Sequence, residues 1–436
     1  MAHVVVVGGG ISGLAAAHRL VRAGQDVTLL EASGQLGGLG TFFEREGRTV
    51  ERFYHCVMPT DEHLLPLLDD LGLRDTVRWR PTTMGMVEAG QRYPFNTALD
   101  LLRFTPLTLV QRIRFGVVSL LLRFLGRGRD LDHLRIEDWL RRLYGDVIWE
   151  RMFSPMMGSK FGPAFGDVPA LYLWQRLGRE KNVATRGYPS GGYSSIIAGL
   201  RASIEDAGGT IRTAAPVASL DARADGVTVE LDSGEQVDAD WAISTLPLPT
   251  LRAVATPALA PALPTVQLAY QGVVNVLFFL RRPLDGHYWA PVLHSDTEFD
   301  GVIEMSTLNG THDGHHLAYA MHYCDRGGDL YLTPDEEIAR RWTAQLLATY
   351  PDRVDIGDVA EVRVFKAPFV EPVYPLGYAD AKPAAEVPGT RLMLATTAQI
   401  YPEVTSWNSS TGLSNRVVDD LLARIGAPVP AVITLA

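Results

Sequence analysis

The sequence lacks several features that would assign it to a specialised class of protein. No run of 18 or more apolar residues is free of charge, so no membrane-spanning helix is expected. The chain enters an apolar stretch at Val4 without a basic region or cleavage site, which favours the cytoplasm over secretion. Only two cysteines occur, Cys56 and Cys324, and they lack metal-ligand spacing, so neither a disulfide nor a zinc site is expected.

Histidines are concentrated in one part of the sequence. His312, His315, His316 and His322 lie close together, but no ordered pattern of carboxylates accompanies them. This spacing favours a solvated loop followed by a strand over a metal site, and we expect no metal.

Charge is unevenly distributed along the chain. The net charge is −10, whereas residues 101–186 hold 15 Lys or Arg against 8 Asp or Glu. A basic segment inside an acidic protein suggests an anionic ligand or an anionic membrane surface on that side. The alternative is a solvated face of ordinary helices.

The first forty residues have the order of a dinucleotide-binding βαβ unit. The run His3–Val7 predicts a strand buried on both faces, and Gly8-Gly9-Gly10-Ile11-Ser12-Gly13 follows it and fits G-x-G-x-x-G. A helix is predicted over Leu14–Ala23, and a second strand over Val27–Leu30 ends at Glu31. Strand, glycines, helix, strand and acid in this order are a strong signal.

Each of these residue types has a mechanical reason. Gly8 permits the tight turn, Gly10 lets the backbone approach a pyrophosphate, and Gly13 lets helix and strand pack closely. The helix N-terminus offers free N–H groups to phosphates. Glu31, 18 residues after Gly13, is placed to accept hydrogen bonds from a ribose.

The residues that follow Glu31 indicate which dinucleotide is bound. Ala32 and a second glycine pair, Gly37-Gly38, resemble the FAD-dependent amine oxidase superfamily, which includes protoporphyrinogen oxidases, phytoene desaturases and UDP-galactopyranose mutases. Members commonly have Arg where this chain has Leu39, and a C-terminal Gly-Asp is missing. The chain therefore resembles a divergent member that binds FAD.

Later segments extend this resemblance along the chain. It implies that Tyr54 and His55 lie against the isoalloxazine ring, that Val217 contacts adenine, and that the run Trp407–Gly412 places N–H groups near the flavin. The expected cofactor-binding residues are Gly8, Gly10, Ser12, Gly13, Glu31, Ala32, Gly38, Leu39, Tyr54, Val217, Trp407, Thr411 and Gly412.

The candidates for proton handling or substrate orientation are His55, Tyr401 and Lys160. A neutral histidine suits a base near pH 7, whereas a lysine needs burial to lower its pKa. Lys160 is expected at a helix break within Ser154–Gly162. Arg176 and Arg179 are candidates to bind a phosphate or carboxylate of the substrate.

The expected fold class is α/β, with a discontinuous Rossmann-like FAD domain and an inserted α+β substrate domain. The FAD domain is predicted over 1–80, 187–250 and 370–436. The substrate domain is predicted as a helical part, 81–186, and a sheet part, 251–369. The apolar, arginine-containing stretch 107–125 is expected to pack in that domain, and the alternative is peripheral contact with a membrane.

The expected function is a FAD-dependent oxidoreductase that dehydrogenates a C–N, C–O or C–C bond by hydride transfer to flavin N5. Its substrate is expected to be small or lipid-like and anionic, with no nucleic-acid partner. One alternative is a nucleotide-sugar enzyme without net redox, similar to UDP-galactopyranose mutase. The other is a lipid-binding escort of the GDP-dissociation-inhibitor type, against which the intact Gly8, Gly10, Gly13 and Glu31 speak.

Overall fold

The computed structural model describes residues 1–179 and 184–430 of the chain. The strands are β1 (His3–Val7), β2 (Asp26–Leu30), β3 (Phe42–Arg45), β4 (Arg48–Glu51), β5 (Val77–Pro81), β6 (Gly85–Glu88), β7 (Gln91–Pro94), β8 (Thr185–Pro189), β9 (Thr210–Arg212), β10 (Val217–Ala222), β11 (Val227–Leu231), β12 (Gln236–Ala239), β13 (Trp241–Ser244), β14 (Ala269–Leu280), β15 (Trp289–Leu293), β16 (Gly301–Glu304), β17 (His316–Cys324), β18 (Val359–Val373) and β19 (Leu392–Leu394).

The α-helices are α1 (Ile11–Arg22), α2 (Leu64–Asp70), α3 (Ala98–Arg103), α4 (Leu109–Leu125), α5 (Ile136–Tyr144), α6 (Asp146–Ile148), α7 (Ser154–Phe161), α8 (Ala170–Arg179), α9 (Gly192–Asp206), α10 (Leu248–Val254), α11 (Ser306–Asn309), α12 (Asp329–Leu332), α13 (Asp335–Thr349), α14 (Tyr378–Ala381) and α15 (Trp407–Arg424).

A parallel sheet of five strands carries the glycine-rich loop. Its order is β19-β13-β1-β2-β9, and every neighbouring pair is parallel. β1 lies at the centre, where Val4, Val5 and Val6 are fully buried, as expected for a β-branched strand covered on both faces. The carboxyl ends of the strands meet at one edge, and there Gly8 follows β1 and Glu31 follows β2.

Distant parts of the chain complete this layer. α1 packs against both α9 and α15, and β19 forms one edge of the sheet. α15 begins at Trp407, because the Ser406 hydroxyl accepts the Ser409 N–H and caps the helix. The predicted discontinuous α/β fold is thus confirmed.

A second, seven-stranded sheet forms the other half of the molecule. Its order is β18-β14-β17-β16-β15-β6-β7, with antiparallel neighbours except for the β15–β6 pair. The central strand β14 is buried over ten consecutive residues. α13 covers one face through Ile338, Trp342 and Leu346, which alternate with charged residues at helical spacing.

The segment predicted to be purely helical, 81–186, differs from that expectation in two ways. It begins with the hairpin β6–β7, which joins the seven-stranded sheet, and β5 pairs with β8 as a ribbon at its two ends. The predicted helix break at Ser154–Gly162 is wrong, because α7 runs from Ser154 to Phe161 with Pro155 in its first turn, where proline is tolerated.

Helix α4 presents an apolar face to solvent. The expectation that 107–125 packs in the substrate domain holds for one side only, since Leu122 is buried in the helical cluster. The opposite side exposes Leu109, Val110, Ile113, Val117, Leu120, Leu121 and Phe124. Among the described residues, no helix is long and apolar enough to cross a membrane.

Candidate active site

A cavity of about 570 Å³ extends from the glycine-rich loop to the seven-stranded sheet. Ten of the sequence-predicted residues line it, namely Gly8, Gly10, Ser12, Gly38, Leu39, Tyr54, His55, Lys160, Arg176 and Trp407. Residues of β14 to β18, among them Val273, Met321 and Phe369, form the far wall. The cavity therefore joins the two halves of the fold, a common location for a cofactor and its substrate.

The first turn of α1 opens into this cavity. Gly10 is the N-cap of the helix, no side chain caps the turn, and no acidic residue lies in it. The first N–H groups of a helix lack intrahelical partners, and they lie at the positive end of its dipole. This end of the cavity is thus built to receive an anionic group such as a pyrophosphate.

The glycines of the loop fulfil separate steric demands. A Cβ on Gly13 would lie 1.8 Å from the Gly8 carbonyl oxygen, so any side chain there would push α1 away from the loop. Gly8 has φ of +107° and a Cβ there would meet the Thr245 hydroxyl at 2.3 Å. A Cβ on Gly10 would find no atom nearer than Gly38 Cα at 3.8 Å, which leaves a cradle open to the cavity.

Three predicted residues lie beyond the lining of the cavity, on the side of the second strand. Glu31 accepts hydrogen bonds from the N–H groups of Gly9, at 2.7 Å, and Ser33, at 2.8 Å. Ala32 is exposed, and the Ala215 N–H donates to the Glu31 carbonyl, which brings the start of β10 at Val217 alongside. Their contact with an adenosine stays a prediction.

The start of α15 forms another part of the cavity wall. Trp407 lies edge-on to Tyr193, with ring centroids 4.6 Å apart, and Ser406 and Ser410 line the cavity beside it. Ser410 was not predicted, although it lies one helical turn after Ser406 and so faces the same side.

Two neighbouring predictions at α15 are not supported by the geometry. A Cβ on Gly412 would lie 2.2 Å from His63 Cδ2, so this glycine makes room for His63 and does not line the cavity. Thr411 is fully buried behind Ser410, and its hydroxyl has no hydrogen-bond partner in the part of the chain that the structure describes.

His55 lies between aromatic rings at the middle of the cavity. Its Nδ1 is 2.9 Å from the Phe53 carbonyl oxygen, which can only accept, so Nδ1 carries the proton and Nε2 is the free acceptor. Burial lowers the pKa of His55 to about 4. The side chain is therefore a neutral hydrogen-bond acceptor at physiological pH.

Tyrosines on the cavity walls are kept protonated. Burial raises the pKa of Tyr54 and Tyr288 above the ordinary value. The Tyr54 hydroxyl donates to the Met321 sulfur at 3.0 Å. These side chains close the cavity with apolar ring surface and present hydroxyl groups rather than phenolates.

The inner end of the cavity is rich in cationic side chains. Lys160 lies 3.4 Å from Glu371, and Arg176 lines the same space. Arg186 donates to Thr82 at 2.5 Å and stacks over the Tyr288 ring. Glu371 is the single acidic residue among the described lining residues, so the cavity has an excess of positive charge.

Sequence reasoning missed Arg186 and Glu371 as cavity residues. Tyr172 donates to Glu371 at 2.8 Å, so two distant elements, α8 and β18, meet there. Strand alternation gave no signal here, because the consecutive residues Phe369, Val370 and Glu371 all line the cavity and β18 has a register shift between Ala367 and Glu371. The predicted Arg179 lies outside the part of the chain whose side chains are described.

The structure places Tyr401, one of the catalytic candidates, outside the lining of the cavity. It is buried among aromatic rings and its hydroxyl donates to the Asp132 carboxylate, away from the lining of the cavity. The ring centroids of Tyr374 and Tyr401 are 4.8 Å apart. Burial first, and the Asp132 contact second, raise the pKa of Tyr401, so the residue is a structural donor.

The histidines that lie close together in the sequence make other contacts in the structure. His312 and His315 form a turn before β17, and His322 pairs with Asp300. Within residues 1–179 and 184–430, no group of three His, Cys, Asp or Glu side chains is placed to hold a metal ion.

Comparison with known proteins points to a flavin family. A model of the family described as flavin-containing amine oxidoreductase matches residues 11–405. Coproporphyrinogen III oxidase of Propionibacterium freudenreichii subsp. freudenreichii is 32% identical over 184 residues, covering 38% of this chain and 33% of that protein. The chain spans between 14% and 60% of the length of the curated relatives it matches.

Two solved structures share the fold. Reduced UDP-galactopyranose mutase has a TM-score of 0.76 at 17% identity, over 97% of this chain and 96% of that one. Wild-type putrescine oxidase bound to putrescine has a TM-score of 0.74 at 19% identity, over 97% and 99%. The open cradle at Gly10 and the uncapped first turn of α1 fit the FAD that this family uses.

Proposed function

Because the chain belongs to the family of flavin-containing amine oxidoreductases, we propose that it dehydrogenates an anionic substrate, small or lipid-like, at a C–N, C–O or C–C bond. The chain is a FAD-dependent oxidoreductase. The observation that carries the choice of substrate is the excess of Lys160, Arg176 and Arg186 over Glu371 at the inner end of the cavity. The alternative of a lipid-binding escort without flavin chemistry does not fit a family of enzymes.

Residues at the other end of the cavity would hold FAD. The uncapped first turn of α1, with Gly8 and Gly10 before it, would bind the pyrophosphate, and Trp407 would stand against the flavin end. The chemistry that FAD supplies when bound is acceptance of a hydride at its N5 atom.

The side chains of this chain bind and orient the substrate. Lys160, Arg176 and Arg186 hold its anionic group, and arginine is suited to the planar geometry of a carboxylate. His55 Nε2 accepts a hydrogen bond from a donor on the substrate, since Nδ1 is committed to Phe53. The aromatic walls exclude water from the bond that reacts.

An anaerobic stopped-flow experiment tests this proposal. Carboxylic acids and their methyl esters are mixed in pairs with the FAD-loaded enzyme, and bleaching of the flavin band is followed. We expect reduction by an acid at concentrations at least tenfold below those its ester needs. Arg176→Met should remove that preference, whereas Arg340→Met, on the exposed side of α13, should keep it. Equal reduction by acid and ester would refute an anionic substrate.

A nucleotide sugar is a second candidate substrate, because three cations also suit a diphosphate. A reaction without net redox, as in the mutase whose fold is shared, predicts turnover of a UDP-sugar only after the flavin has been reduced. No external electron acceptor would be consumed. Turnover with oxidised flavin, with stoichiometric consumption of an external electron acceptor, would instead support dehydrogenation.

A further inference from the structure

The exposed apolar face of α4 has no protein partner in the structure, and we propose that it docks the enzyme on the surface of an anionic lipid bilayer. The most exposed members of this face are Val110, at 77%, and Leu120, at 76%. Isolated exposed apolar residues are normal, but a contiguous apolar stripe marks an interaction surface.

The stripe follows the helical repeat. At about 100° per residue, its seven apolar side chains occupy an arc of roughly 120° on α4, and Leu122 faces the protein on the opposite side. Leu99 and Leu102 of α3 are also exposed, at 52% and 45%, and α3 packs against α4. The apolar surface thus spans two neighbouring helices.

Charge complementarity identifies the occupant. Residues 101–129 contain six arginines and no Asp or Glu, although the whole chain has a net charge of −10. Arg114 and Arg123 border the two edges of the apolar arc, and Arg127 and Arg129 follow directly after the helix. Apolar side chains flanked by arginines are the pattern of a helix lying in the headgroup region of anionic lipids.

Contacts within the protein hold the arginines at the borders of the apolar surface. Arg114 donates to the Leu143 carbonyl at 2.9 Å, which fixes one edge. Arg123 and Arg127 both stack over the Phe124 ring, with their guanidinium carbons 4.6 and 5.2 Å from its centroid. A second copy of this chain would meet a like-charged surface here, whereas anionic headgroups meet an opposite charge.

The docking surface lies one helix away from the cavity. α8 packs against α4, where the Trp174 indole donates to the Arg123 carbonyl at 3.3 Å. Two residues later, Arg176 lines the cavity. A bilayer at α4 would therefore lie beside the helix that carries an anion-binding side chain.

Vesicle flotation of the FAD-loaded enzyme tests the docking surface. Vesicles of phosphatidylglycerol and phosphatidylcholine in equal parts are compared with pure phosphatidylcholine. We expect at least tenfold stronger partition into the anionic vesicles, and a loss of most of it at high salt. Partition that is equal for both compositions, or absent, would overturn the proposal.

Variants localise the contact. Val110→Asp and Leu120→Asp should each lower partition at least tenfold, and Arg127→Gln with Arg129→Gln should lower it roughly 25-fold, at about fivefold per charge. Leu332→Asp, at a site 67% exposed on α12, is the matched control and should bind as the parent does. The proposal is overturned if Val110→Asp and the parent bind the vesicles equally. It is also overturned if the parent is a dimer that does not bind vesicles and that Val110→Asp dissociates.

Discussion

Replacement of Gly13 by alanine is expected to abolish tight FAD binding while the chain still folds. The added Cβ would lie 1.8 Å from the Gly8 carbonyl oxygen, and ordinary contact begins at 3.4 Å. Either α1 or the loop must therefore withdraw by about 1.5 Å, and a hydrogen bond near 2.9 Å does not survive such a shift. The N–H groups at the start of α1 would then no longer face the phosphates.

The size of the effect follows from two separate contributions. Overpacking costs about 1–3 kcal/mol of unfolding free energy, and the better helix propensity of alanine offsets about 1 kcal/mol of it. Loss of two hydrogen bonds to a charged phosphate costs about 3 kcal/mol or more of binding free energy. The Kd for FAD should therefore rise about 100-fold or more, and stability should fall only slightly.

Flavin content per chain, Kd for added FAD and the thermal midpoint measure these quantities. Gly34→Ala is the matched control, because a Cβ there meets nothing within 4 Å and its φ is not positive. It should retain the parental flavin content. If the Gly13 variant purifies with full FAD and an unchanged Kd, the assignment of this loop as the phosphate site is wrong.

Three further outcomes are expected. Glu371→Gln should lower the KM for an anionic substrate several-fold, because it removes the one negative charge among the described residues of the cavity wall. His55 has a folded-state pKa of about 4, below its ordinary 6.5, so its neutral form contributes stability that is full above pH 6.5 and is lost as the pH falls toward 4. His55→Asn should therefore flatten the fall of the urea midpoint over that range. Tyr401→Phe should lower the unfolding free energy by about 1–3 kcal/mol by leaving the buried Asp132 carboxylate short of a donor, with turnover per bound flavin unchanged.

The sequence predicted the glycine-rich unit well because every relevant interaction there is local. Gly8, Gly10 and Gly13 lie within six residues, and the strand, turn and helix that need them follow the same short stretch. Lys160 lines the cavity, although its position in an unbroken helix was missed, and its role in proton handling stays a prediction. Pro155 and Gly158 before Lys160 are typical helix breakers, but here the proline lies in the first turn of α7 and the helix continues through the glycine.

The inner end of the cavity was harder to predict, because its residues come together only in the folded chain. Glu371 meets Lys160 and Tyr172 across about 200 residues of sequence, and β18 gives no local hint of that pairing. The position of Tyr401 outside the cavity lining was equally hard to predict, because its partner Asp132 is 269 residues away in the sequence. Motif residues at helix starts can likewise face the core, as Gly412 does.

The contact between α1 and α15 also limits how early the cofactor site can form during synthesis of the chain. The Ser414 hydroxyl donates to the Ser12 carbonyl across 402 residues, and Trp407 and Ser410 complete the wall of the cavity. A ribosome that adds about 5–20 residues per second needs roughly 20–80 seconds to deliver α15 after β1 has emerged. The glycine-rich loop must therefore wait, with its apolar helix uncovered, until α15 has been synthesised. Cofactor loading is a late event, and a chaperone that shields α1 in the interval would raise the yield of flavin-loaded enzyme.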